Sequence, residues 1–281
     1  MDLTTIVGIV GGLLLIILGG IGTGQVGDFI DIPSAFIVLG GTLAAVVASY
    51  PISMLKETVK HFPIMMQGNR FNTEKLIDTL VDMAQVARKD GLLALEEKAD
   101  ALDDPFFKQG IMMIVDATEP EAVRSLLENE LETTSDRHER MISIYEKASA
   151  YAPGFGMIGT LVGLVKMLLN MDPTAGGAST IGADMGVALI TTFYGCILAQ
   201  LIFSPMAKKL TIRNEEEIVY KEIMIEGILA MQAGDNPKFL KEKLVTYLST
   251  KERAGVLDSE GNDNGKKAKK AKKPKKSQSK K

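Results

Sequence analysis

The sequence predicts an all-α membrane protein with four transmembrane helices and a cytoplasmic helical domain. Three observations lead there. Four apolar runs, residues 3–21, 32–52, 152–171 and 182–206, are each about 19 to 25 residues long, enough to cross a hydrocarbon core of about 30 Å as a helix. The short connectors 22–31 and 172–181 hold no Lys or Arg, whereas the large blocks 53–151 and 207–281 are rich in both. The positive-inside bias therefore places the blocks and both termini in the cytoplasm, and the protein in the inner membrane. Within the blocks, apolar residues recur at helical spacing and no run alternates like a strand. The hydrophobic fraction of 46% conceals the spans only because these blocks dilute them.

Taken in order, residues 1–52 carry the first two spans. The first run lacks a basic leader, with Asp2 as its only early charge, so it is expected to be retained. Residues 53–151 form the cytoplasmic domain. Asn72 is placed to cap a helix whose stripe is Leu76, Ile77, Leu80, Val81 and Ala84, with Gly91 to end it. Asp104-Pro105 is a cap and first-turn pair opening the next helix. Residues 118–121 match a capping box ahead of Val123, Leu126, Leu127 and Leu131, and a separate helix is expected from near Ser135 towards the third span. Residues 152–206 carry spans three and four. Residues 207–250 are cytoplasmic helices, broken at Asn236-Pro237, and residues 251–281 are a disordered lysine-rich tail. Residues 254–281 hold 10 of the 32 basic and 3 of the 35 acidic residues, leaving 22 against 32, a net −10, in the remainder. Such a tail fits anionic lipid or plain solubilisation; lacking aromatics, it does not fit nucleic acid.

Catalysis has no support. The lone Cys196 excludes an internal disulfide framework, and His61 and His138 stand in separate segments without metal-ligand spacing. The glycines of 19–24 lack the Lys-Ser/Thr pair and preceding strand of a phosphate loop. Neither an enzyme nor a bound metal or cofactor is expected.

Chemistry within the membrane rests on fewer residues. Gly8 and Gly12, Gly40 with Gly41, Gly159 and Gly163, and Gly182 and Gly186 would let helix backbones approach closely. Thr160 in the third span, with Thr191 and Thr192 in the fourth, either bond their own helices or line an ion path. No carboxylate lies mid-span, Asp172 and Asp184 falling near the outer ends, so an ion-conducting complex would take its acid from another subunit. Lys166 is placed to snorkel outward. Pro153 and Pro205 sit at matching levels where spans three and four continue into cytoplasmic helices, as hinges or as simple boundaries.

Residues 152–165 (APGFGMIGTLVGLV) resemble the third-span motif of the flagellar motor stator family, MotA in proton-driven and PomA in sodium-driven motors. Residues 187–195 (VALITTFYG) and 87–97 (ARKDGLLALEE) extend the likeness, which runs from Met1 to about Leu248. The resemblance implies five copies around two copies of a single-span MotB- or PomB-type partner that carries the ion-binding aspartate. It implies H+ or Na+ as the transported ion, motility as the process, and the rotor protein FliG as the partner at the cytoplasmic rim. Arg88 and Glu96, with Lys89 and Glu97, match the charged residues that engage the rotor. Pro153 and Pro205 match the coupling prolines, and Thr160 and Thr192, with Thr191 beside them, match hydroxyls of the ion path. The nearest rival is an ExbB/TolQ-type proton-driven energiser of outer-membrane processes, which the four spans disfavour. A solute carrier would show a mid-membrane charge or an internal repeat. A scaffold without ion flow leaves the prolines and threonines unexplained.

Overall fold

A computed structural model describes residues 3–20, 26–66, 71–170 and 178–248, together with Thr250 and Arg253. The described residues are helical and contain no strand. In chain order they form α1 (Leu3–Gly20), a 3₁₀ turn (Val26–Phe29), α2 (Ile32–Ala35), a π turn (Phe36–Gly40), α3 (Gly41–Ser49) and α4 (Ile52–Met66). Then come α5 (Thr73–Asp90), α6 (Leu95–Asp100), α7 (Pro105–Val115), α8 (Pro120–Leu169), α9 (Ala178–Ile197), a second π turn (Leu198–Phe203), α10 (Ser204–Ala233) and α11 (Pro237–Leu244). The expected disordered tail, all but Arg253, and Asp172 lie outside the described residues.

Among the described residues, three stretches are long and apolar enough to cross a membrane: Ile32–Ser49, Pro120–Leu169 and Ile181–Ala233. Ile6–Gly19 is a shorter apolar helix. The chain divides into two compact units, Met1–Arg70 with Thr134–Glu215, and Phe71–Thr133 with Glu216–Lys281.

In the first unit, helices approach through small residues. A Cβ at Gly12 would lie 2.5 Å from Leu201 Cδ1, and one at Gly41 would strike the Phe155 ring. Gly8, Gly40, Gly182 and Gly186, read as packing glycines from sequence, instead face open space in the single chain. Val46, Met141, Ile144 and Ala148 form a core between α3 and α8, and Ile142, Tyr145, Ala207 and Leu210 one between α8 and α10. Hydroxyl pairs tie α3 and its end to α8: Ser49 Oγ to Tyr151 OH at 3.0 Å and Tyr50 OH to Ser143 Oγ at 3.0 Å. The Tyr145 hydroxyl donates to Thr58 O at 3.2 Å, and burial raises its pKa.

In the second unit, α5, α6, α7, the first turns of α8, the last turns of α10 and α11 share one core. Leu80, Leu95, Ile111, Ile114, Leu127, Ile223, Ile228, Leu240 and Leu244 are fully buried in it. Local chemistry sets the helix ends. Asn72 caps α5 by accepting from Lys75 N at 3.0 Å. Gly91, at φ 88°, ends it in the left-handed region open to glycine. Asp104 caps α7 through Phe106 N and Phe107 N, and Asn236 caps α11 through Lys238 N.

Two expectations change. The segments 120–131 and 135–151 belong to one 50-residue helix, α8, that continues into the apolar run. Residues 131–135 contain neither Gly nor Pro, so nothing there ends a helix. The chain after residue 52, assigned to no element from sequence, is helical as α4 and contains Pro63.

Candidate functional site

The apolar half of α8 meets α9 along a seam of glycines. A Cβ added at Gly156 would lie 3.1 Å from Thr191 O, one at Gly159 2.5 Å from Thr191 Cβ, and one at Gly163 2.8 Å from Ala188 Cβ. From the other side, a Cβ at Gly195 would lie 2.7 Å from Ala152 O and 3.2 Å from Pro153 Cα. The two backbones therefore pack with almost no side chain between them, a contact available only to glycine. Sequence reading singled out Gly159 and Gly163 but not Gly156 or Gly195, because neither of those two has a second glycine four residues away.

Hydroxyls occupy this seam. Thr160 Oγ1 lies 2.5 Å from Thr192 Oγ1, 3.0 Å from Ala188 O and 3.1 Å from Gly156 O. Each threonine has one proton and can accept twice, so the pair bridges the helices and keeps acceptor capacity in reserve. Thr191 differs. It is fully buried against Gly159 and donates to Ala188 O of its own helix at 2.9 Å.

Pro153 lies inside α8 at the closest approach to Gly195 and leaves the Ser149 carbonyl without its usual intrahelical donor. Ser149 Oγ in turn donates across to Ala199 O at 3.2 Å. Pro205 is the second residue of α10, directly after the π turn Leu198–Phe203. A π turn already departs from the i→i+4 ladder, so it is a natural place to accommodate a residue without an N–H.

Lys166 does not simply extend away. Its Nζ lies 3.3 Å from Asp184 Oδ1, while Asn170 Nδ2 donates to Asp184 Oδ2 at 3.1 Å. The sequence signal was modest: Lys166 lies in the last turn of α8 with Asn170 just past its end, and Asp184 is two turns before Thr192. A further link unforeseen from sequence joins α9 to the start of α2. Tyr194 OH donates to Phe29 O at 2.5 Å and accepts from Asp31 N at 3.1 Å.

The second unit holds the other predicted group. Arg88 and Lys89 occupy the last turn of α5, and Glu96 and Glu97 the first turn of α6, with all four side chains exposed. Gly91 reverses the chain between them, and buried Leu95 and Ala99 anchor α6 beneath the acids. Each pair also suits its helix end, bases at a C-terminus and acids at an N-terminus. No cluster of three or more metal-binding side chains occurs among the described residues.

Residues 6–91 match the motility protein A N-terminal family model, and residues 98–223 match the MotA/TolQ/ExbB proton channel family model. Motility protein A of Treponema phagedenis is 38% identical over 253 residues, covering 90% of this chain and 96% of that protein. The chain belongs to the motility protein A family. Chemotaxis protein PomA of Vibrio alginolyticus is 36% identical, with 92% of this chain and all of that protein covered. The fold agrees with the flagellar MotAB stator complex of Bacillus subtilis: TM-score 0.83 at 32% identity, over 90% of this chain and 99% of that one. This motility protein A family member is a flagellar stator subunit, an ion-channel component rather than an enzyme.

Proposed function

We propose that this stator subunit assembles as five copies around two copies of a single-span MotB- or PomB-type partner. H+ or Na+ flow through the complex turns the five-copy sleeve about the anchored partner, and the cytoplasmic rim drives FliG. No resident cofactor takes part; the ion is cargo. The observation that carries this reading is the Thr160–Thr192 pair, a polar bridge with spare acceptors inside the apolar half of a helix pair. Neither α8 nor α9 holds a carboxylate at the level of that pair, so the acid belongs to the partner. Thr160 and Thr192 line the path, with buried Thr191 packing beside them, and Pro153 and Pro205 couple it to cytoplasmic movement. Arg88, Lys89, Glu96 and Glu97 form the rotor-facing corner, where both signs allow fast, reversible contact.

The membrane arrangement in this reading has four spans with both termini cytoplasmic. At about 1.5 Å per residue, the 18 residues of α1 cover roughly 27 Å, close to a hydrocarbon core. The bare apolar side chains of α8, among them Leu161 and Leu168, suit contact with lipid or with the partner's span. The basic tail meets anionic lipid of the inner leaflet. An ExbB/TolQ-type energiser is the second reading, since those names share the family model over residues 98–223. The match at 6–91 and the full-length relatives favour the stator.

Co-purification tests the proposal. The tagged subunit, extracted in mild detergent, is expected to bring down a single-span protein with an aspartate early in its span, at five copies to two by native mass. Isolation as a functional carrier with no such protein refutes it.

A further inference from the structure

At the end of the glycine seam nearest the connector between α8 and α9, Asp184 is held with its side chain only 8% exposed, while that of Lys166 is 64% exposed. A carboxylate so deep between apolar helices needs compensation, which Lys166 Nζ at 3.3 Å and Asn170 Nδ2 at 3.1 Å supply. The two partners are unequal in mobility. The acid is fixed in the seam, and the base sits on a long flexible stem that no other part of the single chain covers, so the pair opens by movement of Lys166. Asp184 also shares a face of α9 with Ala188, Thr191 and Gly195, all buried against α8. It lies about 12 Å along the helix from Thr192, eight positions on.

We propose that Lys166 and Asp184 form a charge gate at the mouth of the ion path. Paired, Lys166 masks the acid. Swung outward, it uncovers a fixed carboxylate that draws a hydrated monovalent cation towards the Thr160–Thr192 hydroxyls. The gate rests on the reading of those hydroxyls as part of the path. Unit charges about 12 Å apart, screened between the limits of water and a protein surface, change a local cation concentration by roughly two- to tenfold.

The test uses the full subunit with its single-span partner in motile cells. Swimming speed is recorded against external sodium at fixed pH, and against pH at fixed sodium, following the ion to which the wild type responds. Lys166→Gln keeps an amide donor for Asp184 and is expected to lower the half-saturating cation concentration by about two- to tenfold. Asp184→Asn leaves Lys166 unmatched and is expected to raise it by a similar factor, and the double variant to return near wild type. Lys166→Arg controls for side-chain shape and should match the wild type. Membrane levels of the assembled complex are measured alongside. Unchanged half-saturation in both single variants overturns the gate. So does a fall in maximal speed alone, or a loss that follows complex abundance, since either is what a purely structural helix tie would give. A wild type that responds to neither cation instead overturns the stator proposal beneath it.

Discussion

Thr160 has one proton and three oxygen neighbours, and that imbalance separates it from an ordinary helix threonine. Whichever carbonyl it serves, its bond to Thr192 leaves lone pairs that a desolvated cation can use. Thr160→Val keeps the shape and removes the oxygen. It is expected to reduce ion-driven swimming by tenfold or more while the complex still forms, and normal speed in that variant would remove the hydroxyl from the path. Thr191 was legible in sequence only as the neighbour of Thr192, because adjacency along a chain says nothing of the roughly 100° that separates them around the helix. Its burial against Gly159 predicts that Thr191→Val acts on packing, lowering the melting point more than it shifts ion dependence. Ala117 is a different kind of special residue. It follows α7 at φ 55°, with its own N–H bonded to Ile114 O and that of Thr118 to Met113 O, a left-handed helix end that glycine prefers. Ala117→Gly is expected to stabilise the second unit by about 0.5–1 kcal/mol, read as a raised thermal midpoint.

Among the elements, those ended by local chemistry were legible from sequence. Asn72, Gly91, Asp104 and Asn236 act where they stand in the chain, through bonds spanning a few residues. Elements governed by distant neighbours were not. The continuity of α8 was hidden because a capping box at 118–121 and a run of polar residues near 132–136 resemble two starts, although no breaker divides them. The two π turns, at Phe36–Gly40 and Leu198–Phe203, carry no periodic signature of their own. Pairing of Lys166 with Asp184 crosses between helices, so no single helix pattern reports it. Between α4 and α8, His61 Nδ1 lies 3.4 Å from Tyr145 OH. Burial depresses the His61 pKa below the ordinary histidine value of 6.5, opposed by Glu57 and reinforced by His138. The unfolded chain then takes up this proton before the folded one does. The stabilising effect is therefore complete above pH 6.5 and is lost as pH falls from there through the lower folded pKa. Melting of the detergent-solubilised protein between pH 7.5 and 5.5 checks it: His61→Gln is expected to flatten the slope, and an unchanged slope would place the acid sensitivity elsewhere.

For the whole molecule, the proposed function gives the two units different work, ion handling to one and rotor contact to the other. The charged corner proposed to face the rotor stands on an uncharged foundation, with Leu95 and Ala99 buried beneath Glu96 and Glu97. Charge reversal there should leave folding alone. Arg88→Glu and Glu96→Lys are each expected to impair swimming with membrane assembly and thermal midpoint unchanged, and unaltered motility in both would remove the corner from the rotor interface. The apolar helices were readable because lipid imposes a length rule on any chain that crosses it. Assembly was not, because the bare apolar faces of one copy do not say what covers them. The glycine seam limits how such a motor can diverge. At Gly156, Gly159, Gly163 and Gly195 the backbones of α8 and α9 all but touch, so an added methyl group there pushes the helices apart. The seam's ends escape that penalty, at Ser149 on one side and at Lys166, Asn170 and Asp184 on the other. On the proposed function, gearing and ion intake are thus open to independent variation while the conduit between them stays fixed.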